Sequence, residues 1–145
     1  MAKIKLRSVS LMVILIVGFI GFIIYNAWST DKKSYENIFV DQLEKLMIQK
    51  DFTLINVHIP YQGEIDNTDV LIPFNSMDQN KNILPRNKDA KIVVYCMGDH
   101  MSYVASEELI KMGYTRVSRL KGGMLAWQKK GEQLVHRQSP SIGAF

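Results

Sequence analysis

Lys91-Ile-Val-Val-Tyr-Cys-Met-Gly-Asp-His-Met-Ser102 is the stretch from which the fold of this 145-residue chain can be read. Ile92 to Tyr95 form an unbroken apolar run, as expected of a strand buried on both faces. Cys96 follows, the only cysteine in the chain, then a short polar loop containing Gly98. A helical pattern begins at about Ser102, with Ala105, Leu109 and Met112 as its apolar stripe and Gly113 as its stop. A strand, a cysteine at its C-terminal end, a tight loop and a helix N-terminus form one physical device. Amides of the loop and first helical turn converge on the sulfur, and the helix dipole adds positive potential. Cys96 is therefore the candidate nucleophile, although a lone cysteine is more often a small buried hydrophobe.

The segments on either side supply the same alternation. Towards the N-terminus, Asn37 to Val40 reads as a brief strand. Asp41, with Glu44 three residues on, predicts a capped helix over 42–49. Phe52 to His58 is rich in β-branched and apolar residues and is ended by Pro60, a central strand by pattern. Val70 to Ile72 is another short strand stopped by Pro73, and Ser76 to Leu84 predicts a short helix. Towards the C-terminus, Arg116 to Leu120 is a strand, Gly122-Gly123 a turn, and Met124 to Lys130 a last helix ended by Gly131. Strands alternating with helices predict an α/β domain with a mostly parallel five-stranded sheet flanked by helices. Sites in such sheets gather at the C-terminal ends of the strands, where both Cys96 and His58 fall.

The N-terminus differs in kind. Lys3, Lys5 and Arg7 precede an uncharged run from Val9 to Tyr25. With its flanks, residues 8–28, this run reaches the roughly 20 residues that span a bilayer as a helix. Tyr25 and Trp28 stand where an interfacial aromatic belt would lie, and the basic start places the N-terminus in the cytoplasm and the remainder outside. The expected organisation is a membrane anchor over 1–28, a linker over 29–36, a domain over 37–135 and a frayed tail over 136–145. The rival reading is a signal segment cleaved near Ala27-Trp28-Ser29, which would leave a secreted domain.

Charge excludes other classes. The net charge is +4, from 18 basic and 14 acidic residues. Setting aside Lys3, Lys5 and Arg7 leaves 15 basic residues, so the remainder is nearly neutral. No basic stripe interleaved with aromatics is present, so nucleic acid is not an expected partner. One cysteine and three scattered histidines, His58, His100 and His136, make no metal site.

From Ile38 to Leu134 the residues resemble the rhodanese-like domain. Leu54-Ile-Asn-Val-His58 is similar to the family's Leu-Ile-Asp-Val-Arg strand. Gly63-Glu-Ile65 through Ile72-Pro73 resembles the Gly-His-Ile-Pro-Gly-Ala region. Val93 to Cys96 followed by Ser102 matches the active-site strand and loop in length, and Leu120-Lys-Gly-Gly-Met-Leu-Ala-Trp127 is close to the closing motif. The resemblance implies a sulfurtransferase in which Cys96 carries a persulfide, taken from a small sulfane-sulfur donor and passed to a thiol acceptor. No metal or organic cofactor is required. It also implies that Met97, Gly98, Asp99, His100, Met101 and Ser102 form the substrate-binding loop, with His58 at its rim. This chain departs from the family pattern in the loop: Asp99 stands where a glycine is usual, and Met101 where an arginine is usual. An arginine there offers a bidentate cation to an oxyanion donor, so thiosulfate is expected to be a poor donor here. The Cys-x5-Arg pattern of related phosphatases also fails. The alternative function is a rhodanese-like module used for binding or redox sensing. Neither the protein partner nor the oligomeric state is named by these residues.

Overall fold

A computed structural model describes residues 13–21, 23 and 34–137. The chain divides into two compact units, Met1–Lys32 and Lys33–Phe145. In the first, residues 13–21 are helical and their large apolar side chains, from Val13 to Ile20, are exposed. Among the described residues no helix is long and apolar enough to cross a membrane. The expected span over 8–28 lies partly outside the described residues.

The second unit is a five-stranded, wholly parallel sheet. Its strands are β1 (Glu36–Ile38), β2 (Thr53–Asn56), β3 (Val70–Leu71), β4 (Lys91–Tyr95) and β5 (Arg116–Leu120), in the order β1-β5-β4-β2-β3. Its helices are α1 (Val40–Ile48), α2 (His100–Lys111) and α3 (Gly123–Lys129). Successive strand residues point to opposite faces, so the apolar run of β4 feeds two cores. Ile92, Val94 and Cys96 pack with Ala105 and Leu109 of α2. Val93 and Tyr95 pack with Leu43 of α1 and with Met124 and Trp127 of α3. Each fully buried Leu or Ile stabilises by about 1.5–3 kcal/mol, which is why the central strands need no polar face.

Tyr95 is fully buried, yet its hydroxyl belongs to a closed ring of hydrogen bonds. It accepts from the Ile65 amide at 3.0 Å and pairs with Thr68 Oγ1 at 2.6 Å, and Thr68 Oγ1 also lies 2.6 Å from the Ile65 carbonyl. Burial pushes the Tyr95 hydroxyl well above its ordinary value, so it stays protonated.

Several expectations about elements change. The helix expected over 42–49 begins at Val40. Its N-cap is Phe39, whose amide donates to Gln42 Oε1 at 2.8 Å, while Asp41 lies in the first turn and pairs with Lys130. The central strand is shorter than 52–58 because Asn56 turns inward. Its Nδ2 donates to the Gly63 carbonyl at 3.0 Å and its Oδ1 accepts from the His58 amide at 3.0 Å. Ser76 to Leu84 is a string of turns, not a helix. The Ser76 carbonyl accepts from both the Asn80 amide at 3.2 Å and Asn80 Nδ2 at 2.9 Å, one helix-like turn that does not propagate. The helix expected from about Ser102 starts at His100, and it ends as expected at Gly113 (φ +92°). There the Tyr114 amide reaches the Leu109 carbonyl at 3.1 Å and the Gly113 amide reaches Ile110 at 3.0 Å.

The chain is packed from Val135, the last residue of the expected domain, into the first residues of the expected tail at 136–145. Val135 bridges Glu64 in both directions, at 2.9 and 2.8 Å, and Arg137 forms an ion pair with the buried Glu64 carboxylate. Residues 138–145 lie outside the described residues.

Candidate active site at the Cys96 loop

Cys96 lies one residue beyond β4, only 2 % exposed. Its Sγ lies 3.5 Å from Ser102 Oγ, a hydroxyl that is itself fully buried in the first turn of α2 and lies 3.0 Å from the Asp99 carbonyl. The amides of His100, Met101 and Ser102 open that helix and have no intrahelical acceptor. The loop straddles the sheet edge: Met97 packs into the core under α1 and α3, Met101 into the core under α2.

The closing motif holds the loop from behind. The amide of Met124 donates to the Cys96 carbonyl and that of Leu125 to the Met97 carbonyl, both at 2.9 Å. In a trans peptide the C=O and the following N–H point opposite ways, so the amides of Met97 and Gly98 face away from α3. Gly123 makes this docking possible. A Cβ there would lie 2.1 Å from the Cys96 carbonyl and 2.6 Å from that of Gly98, and its φ of +53° is itself unfavourable for any side chain. Gly98 has no such role, since nothing lies within 4 Å of a Cβ built on it.

An aspartate three residues beyond Cys96 could bring a like charge to the sulfur. The structure turns its carboxylate to a different task. Oδ1 accepts from Arg119 Nη1 at 2.9 Å and from the Gly122 amide at 3.1 Å, while Oδ2 lies 3.3 Å from Lys121 Nζ. Partial burial would raise the Asp99 carboxyl, but the Gly122 amide, Lys121 and Arg119 together outweigh it and hold the carboxyl below its ordinary range. Arg119 is 5 % exposed and also donates to the Asp99 carbonyl at 3.1 Å and to Asn37 Oδ1 at 3.0 and 2.7 Å. A glycine is not needed at 99, where φ is −123°.

His58 follows β2, and β2 and β4 are parallel neighbours with Asn56 opposite Tyr95. Cys96 and His58 therefore stand at the same edge of the sheet. His58 Nε2 pairs with Gln62 Oε1 at 2.8 Å, whereas its buried Nδ1 has no partner among the described residues. His100 is exposed, its ring 6.5 Å from that of Phe74.

Sequence reasoning missed Arg119, Lys121 and Asn37. One signal was available for Arg119: on strand 116–120 it shares a face with Val117, and a cation on an apolar face demands partners. A cavity of about 690 Å³ opens at the opposite end of the sheet, beside Glu36, Lys91 and Arg116. No cysteine or histidine lines it, so this cavity and the reactive chemistry lie apart.

Residues 39–130 match the rhodanese-like domain. The chain belongs to the rhodanese-like family. It is 30 % identical over 95 residues to a sulfurtransferase of Allochromatium vinosum, spanning 63 % of this chain and 86 % of that protein. The crystal structure of a rhodanese-related protein from Thermoplasma volcanium superposes with a TM-score of 0.60 at 27 % identity, over 70 % of this chain and 98 % of that one. Thiosulfate sulfurtransferase from Pseudomonas aeruginosa shares the fold, with a TM-score of 0.66 at 20 % identity, over 77 % of this chain and 22 % of that one. In this rhodanese-like domain the two departures of the loop have different structural fates. Asp99 is tied to β5 and to the closing motif, while Met101 is half-buried against the α2 core.

Proposed function

We propose that this rhodanese-like domain is a sulfurtransferase working through a persulfide on Cys96. The observation that carries the reading is the setting of Cys96. It is a lone cysteine at a strand end, within reach of the Ser102 hydroxyl, under a helix N-terminus, in a loop whose carbonyls are held by α3. The Cys96 thiolate attacks the outer sulfur of a sulfane donor. The donor's bond to that sulfur breaks, the donor leaves with the electron pair, and a Cys96 persulfide anion remains. An acceptor thiolate then attacks the outer sulfur, becomes a persulfide and releases the Cys96 thiolate. The charge stays on sulfur throughout, so the site's task is to hold an anion.

The substrate-binding roles go to the loop from Met97 to Ser102 and to His58. Ser102 Oγ can turn its proton from the Asp99 carbonyl to the anionic sulfur, because that carbonyl keeps the Tyr103 amide at 3.0 Å and Arg119 at 3.1 Å. The free amides of the loop and first helical turn provide the remaining donors. Without an arginine at 101, the loop offers an oxyanion no bidentate cation, and thiosulfate is a weaker donor than a persulfide or polysulfide.

The domain is placed outside the cytoplasm, tethered by the apolar segment at 8–28 or released if that segment is cleaved. The basic flank and the uncharged run support this placement. Fractionation of cells making the full chain tests it, with protease added to intact cells. Membrane-bound and digestible protein is expected; protein found in the soluble cytoplasmic fraction refutes it.

Intact-mass measurement of the full chain after incubation with an organic persulfide, polysulfide or thiosulfate tests the sulfur chemistry. One added sulfur is expected on the wild type and none on Cys96→Ser. If no donor adds sulfur to Cys96, the reading fails. The burial of Cys96 and the methionine at 101 favour a second reading, a binding or redox-sensing module. Under it, no donor adds sulfur to Cys96, and Cys96→Ser leaves a binding role intact.

A further inference from the structure

We propose that Asp99, Arg119 and Lys121 form a charge clamp beneath the Cys96 loop, and that Asp99 sets the specificity of the site by weakening its attraction for dianionic donors. The inference rests on the sulfur-transfer reading and concerns which donors that site selects.

Arg119 is a buried guanidinium bonded to Asp99 and to Asn37. Lys121 adds a second, half-exposed cation on the other carboxylate oxygen. Both stand under the loop that carries the nucleophile, where charges are screened less than in bulk water. Alone, they would draw anions to the loop. Asp99 sits between them, bonded to both, at the loop position where the family places an uncharged glycine. The other departure, methionine for arginine at 101, moves the charge in the same direction. One change adds a negative charge and the other removes a positive one. The cost of binding a dianion such as thiosulfate rises on both counts, while an organic persulfide of low charge is little affected. The clamp also explains how a carboxylate can sit three residues from a sulfur nucleophile: its charge is spent on Arg119, Lys121 and the Gly122 amide.

The single cysteine makes a direct test possible, because alkylation at Cys96 reports the field there without requiring turnover. The full chain, held in detergent, is alkylated at constant pH with iodoacetate (an anion) and iodoacetamide (neutral). The ratio of the two rates cancels the thiolate fraction. Asp99→Asn keeps an oxygen for Arg119 and Gly122 but loses the charge. It is expected to raise the ratio about three- to tenfold, and thiosulfate loading with it. Lys121→Gln is expected to lower the ratio, Asp99→Glu to stay near wild type, and 0.5 M KCl to shrink all differences. A clamp that merely braces the loop moves Asp99→Asn and Lys121→Gln the same way. That result, or an unchanged ratio, overturns the proposal. Should Asp99→Asn fail to fold, the exposed Lys121→Gln and Lys121→Glu series decides alone, with the ratio expected to fall in that order. Failure of every donor to load wild-type Cys96 would defeat the sulfur-transfer reading and leave the alkylation ratios to be judged separately.

Discussion

Ser102 illustrates how much rests on one hydroxyl. It is buried, bonded within its own turn, and placed 3.5 Å from the Cys96 sulfur. Hydrogen bonds to charged groups contribute about 1.5–3 kcal/mol, so Ser102→Ala is expected to slow sulfur loading of Cys96 about 10- to 100-fold. Single-turnover mass measurements check this, and the fold should persist because Asp99 keeps two other donors on its carbonyl. Asp99 itself links the loop to acid stability. Its carboxyl is held below the ordinary range in the folded protein, so the stabilisation is present above the unfolded value of about 4 and is lost as pH falls through the folded value. Asp99→Asn is therefore expected to lower the urea midpoint at pH 7, and the gap from wild type to close as both are titrated towards pH 2. A gap that stays constant with pH would rule out this linkage.

Between elements, the decisive contact is α3 against the loop. Gly123 lets the first turn of α3 reach the carbonyls of Cys96 and Met97, and those bonds orient the loop peptides. Gly123→Ala must push backbone carbonyls apart and hold a side chain at positive φ. A loss of about 2–4 kcal/mol in stability, together with loss of sulfur loading, is expected, measured by urea unfolding and intact mass. Gly98→Ala, in the loop itself, meets nothing and is expected to change stability by about 0.5 kcal/mol or less. The contrast separates a glycine that a packing contact requires from one that only looks like the family's loop glycine. The strand β5 contributes in the same way: Arg119 reaches across to Asn37 of β1 and up to Asp99, so three elements meet at one guanidinium.

At the scale of the whole domain, the chain after α3 returns to close the fold. Val135 pairs with Glu64 on the β2–β3 connection, and Arg137 neutralises a Glu64 carboxylate that is only 2 % exposed. Arg137→Met would leave that charge buried without its partner. A loss of about 2 kcal/mol or more is expected in urea unfolding, relieved in the double variant Glu64→Gln/Arg137→Met.

Length, order and period carried most of the architecture. The apolar run of β4 is long enough for a strand and too short for a helix, and the stops at Pro60, Pro73, Gly113 and Gly131 separate the elements. Four motifs in the right order then pointed to the rhodanese-like domain, and with it to Cys96 and Ser102. These features are local, or depend only on spacing along the chain, so they are visible in one dimension. The Asp99 clamp, the docking of Gly123 on loop carbonyls, the inward turn of Asn56 and the Arg137–Glu64 pair were decided only by the tertiary structure. Each joins residues distant in sequence, or depends on which way a side chain or peptide turns once β5 lies beside β4. The sequence alone left Asp99 as a charge beside the nucleophile. Packing supplied the cations that take up that charge, and so changed what the loop around Cys96 can hold.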